Sequence, residues 1–218
     1  MTTRSAKCCE AFNYSARQVF TKLCSSLLRL SPFAFRPKIT FMPLIRPSSD
    51  DDLPAITAIY AHHVLHGTGS FETEPPSVAD MTARRADVLS KGLPYLVVEQ
   101  DEKIAGFAYG NWFKPRPAYR HSVEDSIYMA PGLQGKGLGR ALLSELMARF
   151  EAVGIRKVMA IVGDSANVAS VGIHLTLGFT QVGIVDSCGW KFGAWRDIVI
   201  MQKTLGLGDT QPPDQPAA

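Results

Sequence analysis

From residue 42 onward, the apolar positions along the chain follow two periods, and each period predicts one kind of element. Short runs rich in Val, Ile and Tyr, bounded by Gly, Pro or Asp, predict strands. Runs in which apolar residues recur every three or four positions, as at Ile56, Ile59, Tyr60 and Val64, predict helices. The predicted strands cover residues 43–47, 94–100, 104–112, 120–130, 157–163, 179–189 and 195–205, and the predicted helices cover residues 48–65, 77–92, 134–154 and 165–178.

The order of these elements predicts the fold class. Strands over 94–100 and 104–112 are separated by three polar residues and predict a hairpin, and the last two strands predict a second one. Between the hairpins a strand, a helix and a strand follow one another, which is typical of a βαβ unit. We therefore predict a mixed α/β (α+β) domain, with a central mixed β-sheet flanked by helices, that differs from a regular doubly wound fold.

Composition and charge limit the function. The chain has 218 residues, of which 46% are apolar and 20% charged, so one domain with flanking segments can bury a full core. The net charge of +3 is uneven, because residues 1–41 hold seven Lys or Arg and one acid, a net of +6. The remaining 16 bases and 19 acids give residues 42–218 a net of −3, so we expect no nucleic-acid partner.

The two ends of the chain differ from the predicted domain over residues 42–205. Residues 1–41 are basic and rich in Ser, a composition that resembles a transit peptide or an upstream extension that is not translated. We favour the second interpretation, with Met42 as the true start, and expect the extension to be disordered or not translated. Residues 206–218 are rich in Gly and Pro and predict a disordered tail. No apolar run is long enough to cross a membrane, and no membrane partner is expected.

Cysteines and histidines carry little chemistry in this pattern. Cys188 is the only cysteine after residue 41, so no disulfide framework forms in the domain and a reducing cytoplasm is expected. His62 and His66 have the i, i+4 spacing that zinc can use, but His63 stands where a metalloprotease needs Glu. Because no further ligands lie nearby in the sequence, we expect no metal.

The stretch "IYMAPGLQGKGLGRALL" carries the main functional signal. It lacks the Gly and the final Ser or Thr that a Walker loop requires, and Arg140 or Leu142 occupies the last place of a dinucleotide fingerprint. The glycines at 135, 137 and 139 allow backbone N–H groups to converge at a helix N-terminus, with Lys136 and Arg140 beside them. This arrangement predicts a pyrophosphate cradle without a metal.

The spacing Gln-x-x-Gly-x-Gly between a strand and a helix resembles the acetyl-CoA motif of the GNAT superfamily of N-acetyltransferases. Three further segments, "FKPRPAYRHSVEDSIY", "ASVGIHLTLGF" and "WKFGAWRD", resemble the phosphinothricin and L-amino acid (methionine sulfone/sulfoximine) acetyltransferase branch. The resemblance covers residues 44–205. It implies the GNAT acyl-CoA N-acyltransferase fold, acetyl-CoA as co-substrate and a homodimer.

The resemblance also implies roles for individual residues. Glu124 corresponds to the general base, and His174 takes the place of a residue that protonates the departing thiolate, although it can equally be a core histidine. Asp125 points to the opposite face of the strand from Glu124 and is expected to be a solvated surface acid. The residues expected to bind the cofactor are Ile127, Tyr128, Met129, Gln134, Gly135, Lys136, Gly137, Leu138, Gly139, Arg140 and Asn167.

Two of these cofactor residues have alternative interpretations: Tyr128 can simply pack, and Asn167 can bond its own helix backbone. For the amino-acid substrate the resemblance implies Phe71 as a pocket wall and the cations Lys114 and Arg116 as anion ligands. Tyr119 joins that loop, and Lys191, with Trp195, is expected to close the site from a second subunit.

The predicted function is acetyl-CoA-dependent N-acetylation of the α-amine of a small amino acid or analogue, by direct transfer. Cys188 lies far from the motif and lacks a paired base, which argues against an acetyl-cysteine intermediate. Two alternatives stay open. The amine can be a polyamine, an antibiotic or a peptide N-terminus, or the chain can be a CoA-binding sensor without catalysis.

Overall fold

All seven predicted strands join into one mixed sheet in the computed structural model, which describes residues 43–213. Their order across the sheet is β1-β2-β3-β4-β5-β7-β6. Within the described residues β4 and β5 are the one parallel pair, while the other neighbours are antiparallel. This confirms the predicted hairpins and the central βαβ unit. The strands are β1 Leu44–Pro47, β2 Tyr95–Gln100, β3 Lys103–Trp112, β4 Ser122–Met129, β5 Lys157–Gly163, β6 Thr180–Lys191 and β7 Ala194–Thr204.

Four α-helices and two single 3₁₀ turns complete the described part of the chain. The helices are α1 Leu53–His66, α2 Val78–Ser90, α3 Leu138–Ala152 and α4 Val168–Thr176, and the 3₁₀ turns cover Asp50–Asp52 and Pro117–Tyr119. Helix α2 begins as predicted, because Ser77 and Asp80 bond each other's backbone in a capping box. None of the helices in residues 43–213 has the length and apolar character that a membrane span requires.

Helix α3 covers the centre of the sheet and carries the glycine motif at its N-terminus. Its apolar positions at i, i+4 spacing turn inward and are buried, as at Leu142, Leu146 and Phe150. The helix begins at Leu138 rather than at the predicted residue 134. Gly135 (φ +76°) and Gly137 (φ +80°) adopt the left-handed conformation, which holds the preceding residues in turns.

Successive residues of β4 face opposite helix layers. Tyr128 meets Tyr60 of α1 edge to face, with ring centroids 4.9 Å apart. On the other face, Asp125 contacts α4, and Gly110, its cross-strand neighbour in β3, lies against Phe150 of α3. Because the side chains alternate, Glu124 and Asp125 are aimed into different layers.

Strands β4 and β5 separate halfway along their length. Their parallel pairing runs from Ser122 to Asp125 on β4 and ends opposite Ala160 on β5. Beyond that point β4 stays paired with β3 up to Met129, and β5 stays paired with β7 up to Gly163. The separation leaves a gap in the sheet directly after Glu124 and Asp125.

The predicted basic extension over residues 1–41 lies outside the described residues, as do residues 214–218 of the predicted tail. At the start of that tail, residues 206–209 form turns. Leu205 O accepts from Gly208 N at 3.0 Å, and Gly206 and Gly208 take the positive φ values that these turns need. Two glycines therefore supply the backbone conformation of these turns.

Candidate active site

A cavity of about 1080 Å³ opens at the gap between β4 and β5. Most of its lining comes from α1, the loop over 67–72, the ends of β4 and β5, the N-terminus of α3, and α4, and Tyr109 of β3 and Ile198 of β7 also contribute. The glycine motif and the predicted catalytic residues, which are separated in sequence, thus share one cavity. The lining includes most predicted cofactor residues, namely Ile127, Tyr128, Met129, Gln134, Gly135, Gly137, Leu138, Gly139, Arg140 and Asn167.

The N-terminus of α3 has the properties of an anion cradle. Gly137 is its N-cap and provides no side-chain cap, so the first-turn N–H groups have no side-chain acceptor from that position. Gly139 allows α4 to approach, since a Cβ there would stand 3.3 Å from Cδ1 of Ile173. Arg140 lines the cavity, whereas Lys136 is exposed and is not among the lining residues. The backbone, with Arg140, forms the cradle.

His63 of α1 holds the end of β4. Its Nε2 lies 2.8 Å from Met129 O, and because a carbonyl can only accept, Nε2 carries the proton and donates it. Burial, the largest effect, lowers the pKa of His63, so the ring is neutral near pH 7. The sequence suggested this histidine only in connection with a metal; the structure places it on the cavity wall, anchoring the strand at the gap.

Glu124 lies where two cavities meet. Besides the main cavity it lines a second one of about 550 Å³, together with Tyr109 and Ser126. Burial and then the charge of Asp125 raise the pKa of the Glu124 carboxyl above its ordinary value, while Lys114 acts in the opposite direction. Within residues 43–213 its only charged neighbours with a resolved effect are these two. A half-buried carboxylate between two openings is well placed to accept a proton.

The expectation that Asp125 is a solvated surface acid is wrong. Its side chain is 1% exposed, and its Oδ2 lies 3.1 Å from Nε2 of His174, which is itself 3% exposed. Burial alone would lower the pKa of His174, but the hydrogen bond and charge of Asp125 outweigh it and raise that pKa. The alternation of β4 was predicted correctly; what the sequence did not reveal is that α4 covers the second face.

The mouth of the cavity is formed by the loop over 67–72, which carries Phe71. The Phe71 ring lies where any side chain at position 189 would be, since a Cβ on Gly189 would come within 2.3 Å of it. Gly163 similarly leaves room for Thr68 O, which a Cβ there would approach to 2.2 Å. Glycines on β5 and β6 therefore seat Phe71 on the cavity wall, where the resemblance placed it.

Lys191 is placed differently from the expectation that it closes a second subunit's site. It is 4% exposed, and its Nζ donates to Ser70 O of its own chain at 2.5 Å. Burial lowers the pKa of Lys191, and Glu72 opposes that effect. The Lys191 ammonium thus holds the loop over 67–72, here called the mouth loop, against its own chain. Trp195 lies on the β6–β7 hairpin and is 62% exposed.

The predicted substrate loop after β3 is only partly brought to the site. Lys114 is close enough for its charge to act on Glu124, and its Nζ stands 4.8 Å from the Phe113 ring centroid. Arg116 directly precedes the 3₁₀ turn and Tyr119 ends it, and both residues line neither described cavity. Asn167 caps α4 by accepting from Ser170 N at 3.2 Å, so its oxygen serves the helix as the alternative interpretation held.

A family model described as the acetyltransferase (GNAT) family matches residues 57–179, more than half of the chain. The chain belongs to the GNAT acetyltransferases. The matched span of this GNAT chain runs from within α1 through the glycine motif to Phe179, three residues past the end of α4, and contains all the residues that line the cavity except Ile198 of β7.

Individual relatives of this GNAT chain fall in the branch that the sequence resembles. A phosphinothricin N-acetyltransferase from Alcaligenes faecalis is 54% identical over 170 residues, covering 78% of this chain and 86% of the relative. An L-methionine sulfoximine/L-methionine sulfone acetyltransferase from Salmonella typhimurium is 37% identical, covering 78% and 98%. The crystal structure of a phosphinothricin acetyltransferase from Sinorhizobium meliloti in complex with AcCoA superposes with a TM-score of 0.77 at 40% identity, covering 79% and 94%.

Several wall residues of this GNAT chain were not anticipated from the sequence. Tyr60 donates to Glu72 Oε1 at 2.9 Å and lies 3.1 Å from Ser70 Oγ, and burial raises the pKa of Tyr60 to about 12. Arg84 of α2 completes the group, with Nη1 donating to Glu72 Oε1 at 2.7 Å. These side chains come from three separate segments, namely α1, the loop over 67–72 and α2. No local spacing in the sequence therefore predicts that they meet.

Proposed function

We propose that this chain transfers the acetyl group of acetyl-CoA to the α-amine of a small amino acid or analogue of the phosphinothricin, methionine sulfone or methionine sulfoximine type. The observation that carries the proposal is the single cavity in which the bare N-terminus of α3, the gap between β4 and β5, and Glu124 meet. An anion cradle, a slot in the sheet and a base are the parts that this reaction requires.

The cavity offers groups that suit the parts of acetyl-CoA. The pyrophosphate would lie against the N–H groups after Gly137, with Arg140 beside it, because a helix N-terminus favours negative charge. The gap offers the unpaired edges of β4 and β5 to the amides of the pantetheine arm. The fit is supported by AcCoA in the Sinorhizobium meliloti relative. The thioester chemistry is supplied by acetyl-CoA itself.

Glu124 is proposed as the general base. An α-amine is mostly protonated near neutral pH and must lose a proton before it attacks the thioester carbonyl. The raised pKa of Glu124 brings this carboxylate nearer to the amine in basicity, and its position between the two cavities lets it take the proton directly or through water. Transfer is proposed to be direct, since the lining residues of the main cavity include no cysteine and Cys188 is exposed on β6.

The substrate class is supported by the names of the relatives and by the charge near Glu124. The relatives at 54% and 37% identity act, by their names, on phosphinothricin and on methionine sulfoximine or sulfone. Lys114 brings a cation toward Glu124, which suits an amino-acid carboxylate or a phosphinate oxygen better than a polycation. Phe71 forms an apolar wall at the mouth.

The test is release of the CoA thiol from acetyl-CoA with a panel of amines. The panel contains phosphinothricin, methionine sulfone, methionine sulfoximine, the ordinary amino acids, spermidine and a peptide with a free N-terminus. We expect turnover on one or more of the first three, with kcat/KM at least about 100-fold above that for spermidine, since Lys114 repels a polycation. Isothermal titration with acetyl-CoA accompanies the assay.

Turnover confined to spermidine or to the peptide would contradict the substrate class while leaving the reaction in place. Acetyl-CoA binding without turnover on any amine would contradict catalysis and favour a sensor that binds CoA. Absence of acetyl-CoA binding would contradict the proposal as a whole, because the cradle would then hold another anion.

The proposal includes a homodimer formed through the β6–β7 hairpin. Strand β6 is an edge of the sheet, and large apolar side chains on the hairpin are exposed: Val182 56%, Ile184 46%, Val185 43%, Trp190 60%, Phe192 53% and Trp195 62%. An exposed apolar edge of this extent is typical of an interface. A second copy would cover it symmetrically.

Trp195→Glu is expected to convert the dimer to monomer in size-exclusion chromatography with light scattering. Loss of a central tryptophan, together with a buried charge, should raise the dimer dissociation constant by about 30-fold or more. Leu44→Glu is the matched control, because Leu44 is 55% exposed on β1, at the opposite edge of the sheet. A monomeric wild-type protein, or equal dissociation in both variants, would contradict the proposed interface.

The cytoplasm is proposed as the compartment. Cys188 is a free, exposed thiol, a state that a reducing compartment preserves.

A further inference from the structure

The pair Asp125–His174 lies on the second face of β4, away from Glu124, and has no part in the proton transfer to Glu124. Both side chains line the main cavity, yet they are only 1% and 3% exposed. The ring of Phe179 stands edge-on to the imidazole at 4.9 Å, which makes the surroundings apolar on that side. A buried ionisable pair beside a reaction cavity calls for a role in the reaction.

The hydrogen bonds of His174 determine where its protons are. Nδ1 lies 2.7 Å from Ser170 O, one turn earlier on α4, and because a carbonyl can only accept, Nδ1 carries a proton. The other ring nitrogen, Nε2, lies 3.1 Å from Asp125 Oδ2. In the charged state Nε2–H donates to the carboxylate; in the neutral state a protonated carboxyl donates to Nε2. In either state a single proton lies between His174 Nε2 and Asp125 Oδ2.

The surroundings favour the charged state. Asp125 raises the pKa of His174 despite its burial. Other charged groups act from further away: Glu124 lies on the opposite face of β4, and Lys203 of β7 donates to Leu177 O at the end of α4. Among the described residues Asp125 Oδ1 has no hydrogen-bond partner, so His174 is the group that stabilises this carboxylate.

We propose that Asp125 is a positioning residue for acetyl transfer, which keeps a proton on Nε2 of His174 beside the cavity for the thiolate that departs. This inference rests on the proposed function. When the amine nitrogen forms its bond to the thioester carbon, the carbon–sulfur bond breaks and sulfur keeps the electron pair. Glu124 takes the first proton of the incoming α-ammonium before attack and releases it to solvent, then takes the second proton as the new bond forms, while the Nε2 proton passes to sulfur. The amine thus loses two protons and sulfur gains one, so one proton is released overall.

The same geometry explains how the pair is restored. Once Nε2 has given up its proton, its lone pair faces a carboxylate, which is an unfavourable contact in an apolar layer. Uptake of a proton from solvent removes that repulsion, and Glu124 releases its proton to solvent at the second cavity. Two adjacent residues of one strand thus serve the two halves of the reaction on opposite faces of the sheet.

Asp125→Asn tests the proposal with little change in shape. The Asn amide can still donate to Nε2, so the contact is kept while the charge and the transferable proton are lost. We expect kcat to fall by about 10- to 100-fold at pH 7.5, within the range for loss of a general acid, with KM for acetyl-CoA within about 2-fold.

The pH profile of kcat separates this role from a merely structural one. Without the Asp125 charge the pKa of His174 falls, so the alkaline limb, where His174 loses its proton, moves to lower pH. The pKa of Glu124 also falls, so the acid limb moves the same way. Glu145→Gln on the exposed side of α3 removes one carboxylate as a control and should leave both limbs in place. Unmoved limbs in Asp125→Asn would overturn the proposal.

A double variant and a spectrum complete the test. Because Asp125 acts through His174, Asp125→Asn/His174→Gln should lose no more activity than His174→Gln alone; additive losses would overturn the proposal. Nitrogen-15 NMR of the wild-type protein, with His174 assigned from the His174→Gln spectrum, should show an imidazolium at pH 7. A neutral ring there would overturn the proposal even if Asp125→Asn fails to fold or no amine is turned over, in which case the proposed function fails separately.

Discussion

Replacing Glu124 with glutamine is expected to lower kcat by about 10²- to 10⁴-fold, the range that loss of a general base produces. The glutamine keeps the volume of the side chain between the two cavities but cannot accept the amine proton at any pH in the assay. The proposed acetyl-CoA site lies at α3 and the strand gap, so the dissociation constant for acetyl-CoA by isothermal titration should change by less than about 2-fold.

The pH dependence of the wild-type enzyme belongs to the same prediction. Activity requires the deprotonated carboxylate, and burial together with Asp125 raises its pKa. The acid limb of kcat should therefore lie above the pH at which an ordinary glutamate titrates, with activity lost as the pH falls through it. In Glu124→Gln this limb should disappear from the residual rate.

Asp101→Asn provides the control, because Asp101 lies in the β2–β3 turn and lines neither cavity. Its positive φ of 52° is tolerated by Asn as well as by Asp, so no strain is added. We expect Asp101→Asn to keep the wild-type kcat. Retention of more than about a tenth of wild-type kcat in Glu124→Gln would show that the amine loses its proton to another group or to solvent.

Replacing Phe150 with alanine is expected to lower the free energy of unfolding by about 3–5 kcal/mol, measured by urea denaturation. Phe150 is fully buried on α3 and packs against β3. Since the total free energy of unfolding of a domain of this size is about 5–15 kcal/mol, the loss is a large share of its stability. The same helix carries the proposed anion cradle, so we expect Phe150→Ala to bind acetyl-CoA more weakly than the wild type.

The contact with Gly110 allows this prediction to be tested by a double-mutant cycle. A Cβ on Gly110 would stand 2.3 Å from Cζ of Phe150 and 3.2 Å from Glu124 O. Gly110→Ala alone should therefore cost about 1–3 kcal/mol through overpacking. In the Phe150→Ala background the added methyl group enters the vacated space, so its cost should fall by about 1–2 kcal/mol.

Gly183→Ala is the matched control for that cycle. Gly183 lies in β6 with no heavy atom near the position of an added Cβ, so the substitution should change the free energy of unfolding by less than about 1 kcal/mol in either background. Equal costs of Gly110→Ala with and without Phe150 would show that the ring and β3 are not in contact as described.

Much of the fold was predictable from the sequence, because it depends on short-range patterns. The i, i+4 apolar spacing from Leu138 to Phe150 is enough to identify α3 and its buried face. Hairpin signals and the βαβ order led to the mixed sheet. The elements with errors were those where backbone conformation outweighs periodicity, as at Gly135 and Gly137, which delay the start of α3.

The candidate site was predictable only in part, because only some of its features depend on residues that are close in the sequence. The glycine motif is local, so its place at a helix N-terminus followed from the sequence, and the resemblance pointed to Glu124 and His174, which line the same cavity. The contacts that define their surroundings join distant residues: Asp125 and His174 are 49 positions apart, and His63 and Met129 are 66 apart. Lys191 and Ser70 are separated by 121.

By itself, then, the sequence determined the elements, the order that builds the sheet, and the glycine turn before α3, because each depends on residues within a few positions of one another. The tertiary structure alone decided that Asp125 is buried against His174, that His63 anchors the end of β4, and that Lys191 holds the mouth loop of its own chain. Such contacts depend on which face of a strand another helix covers, and that is settled by the packing of the whole domain.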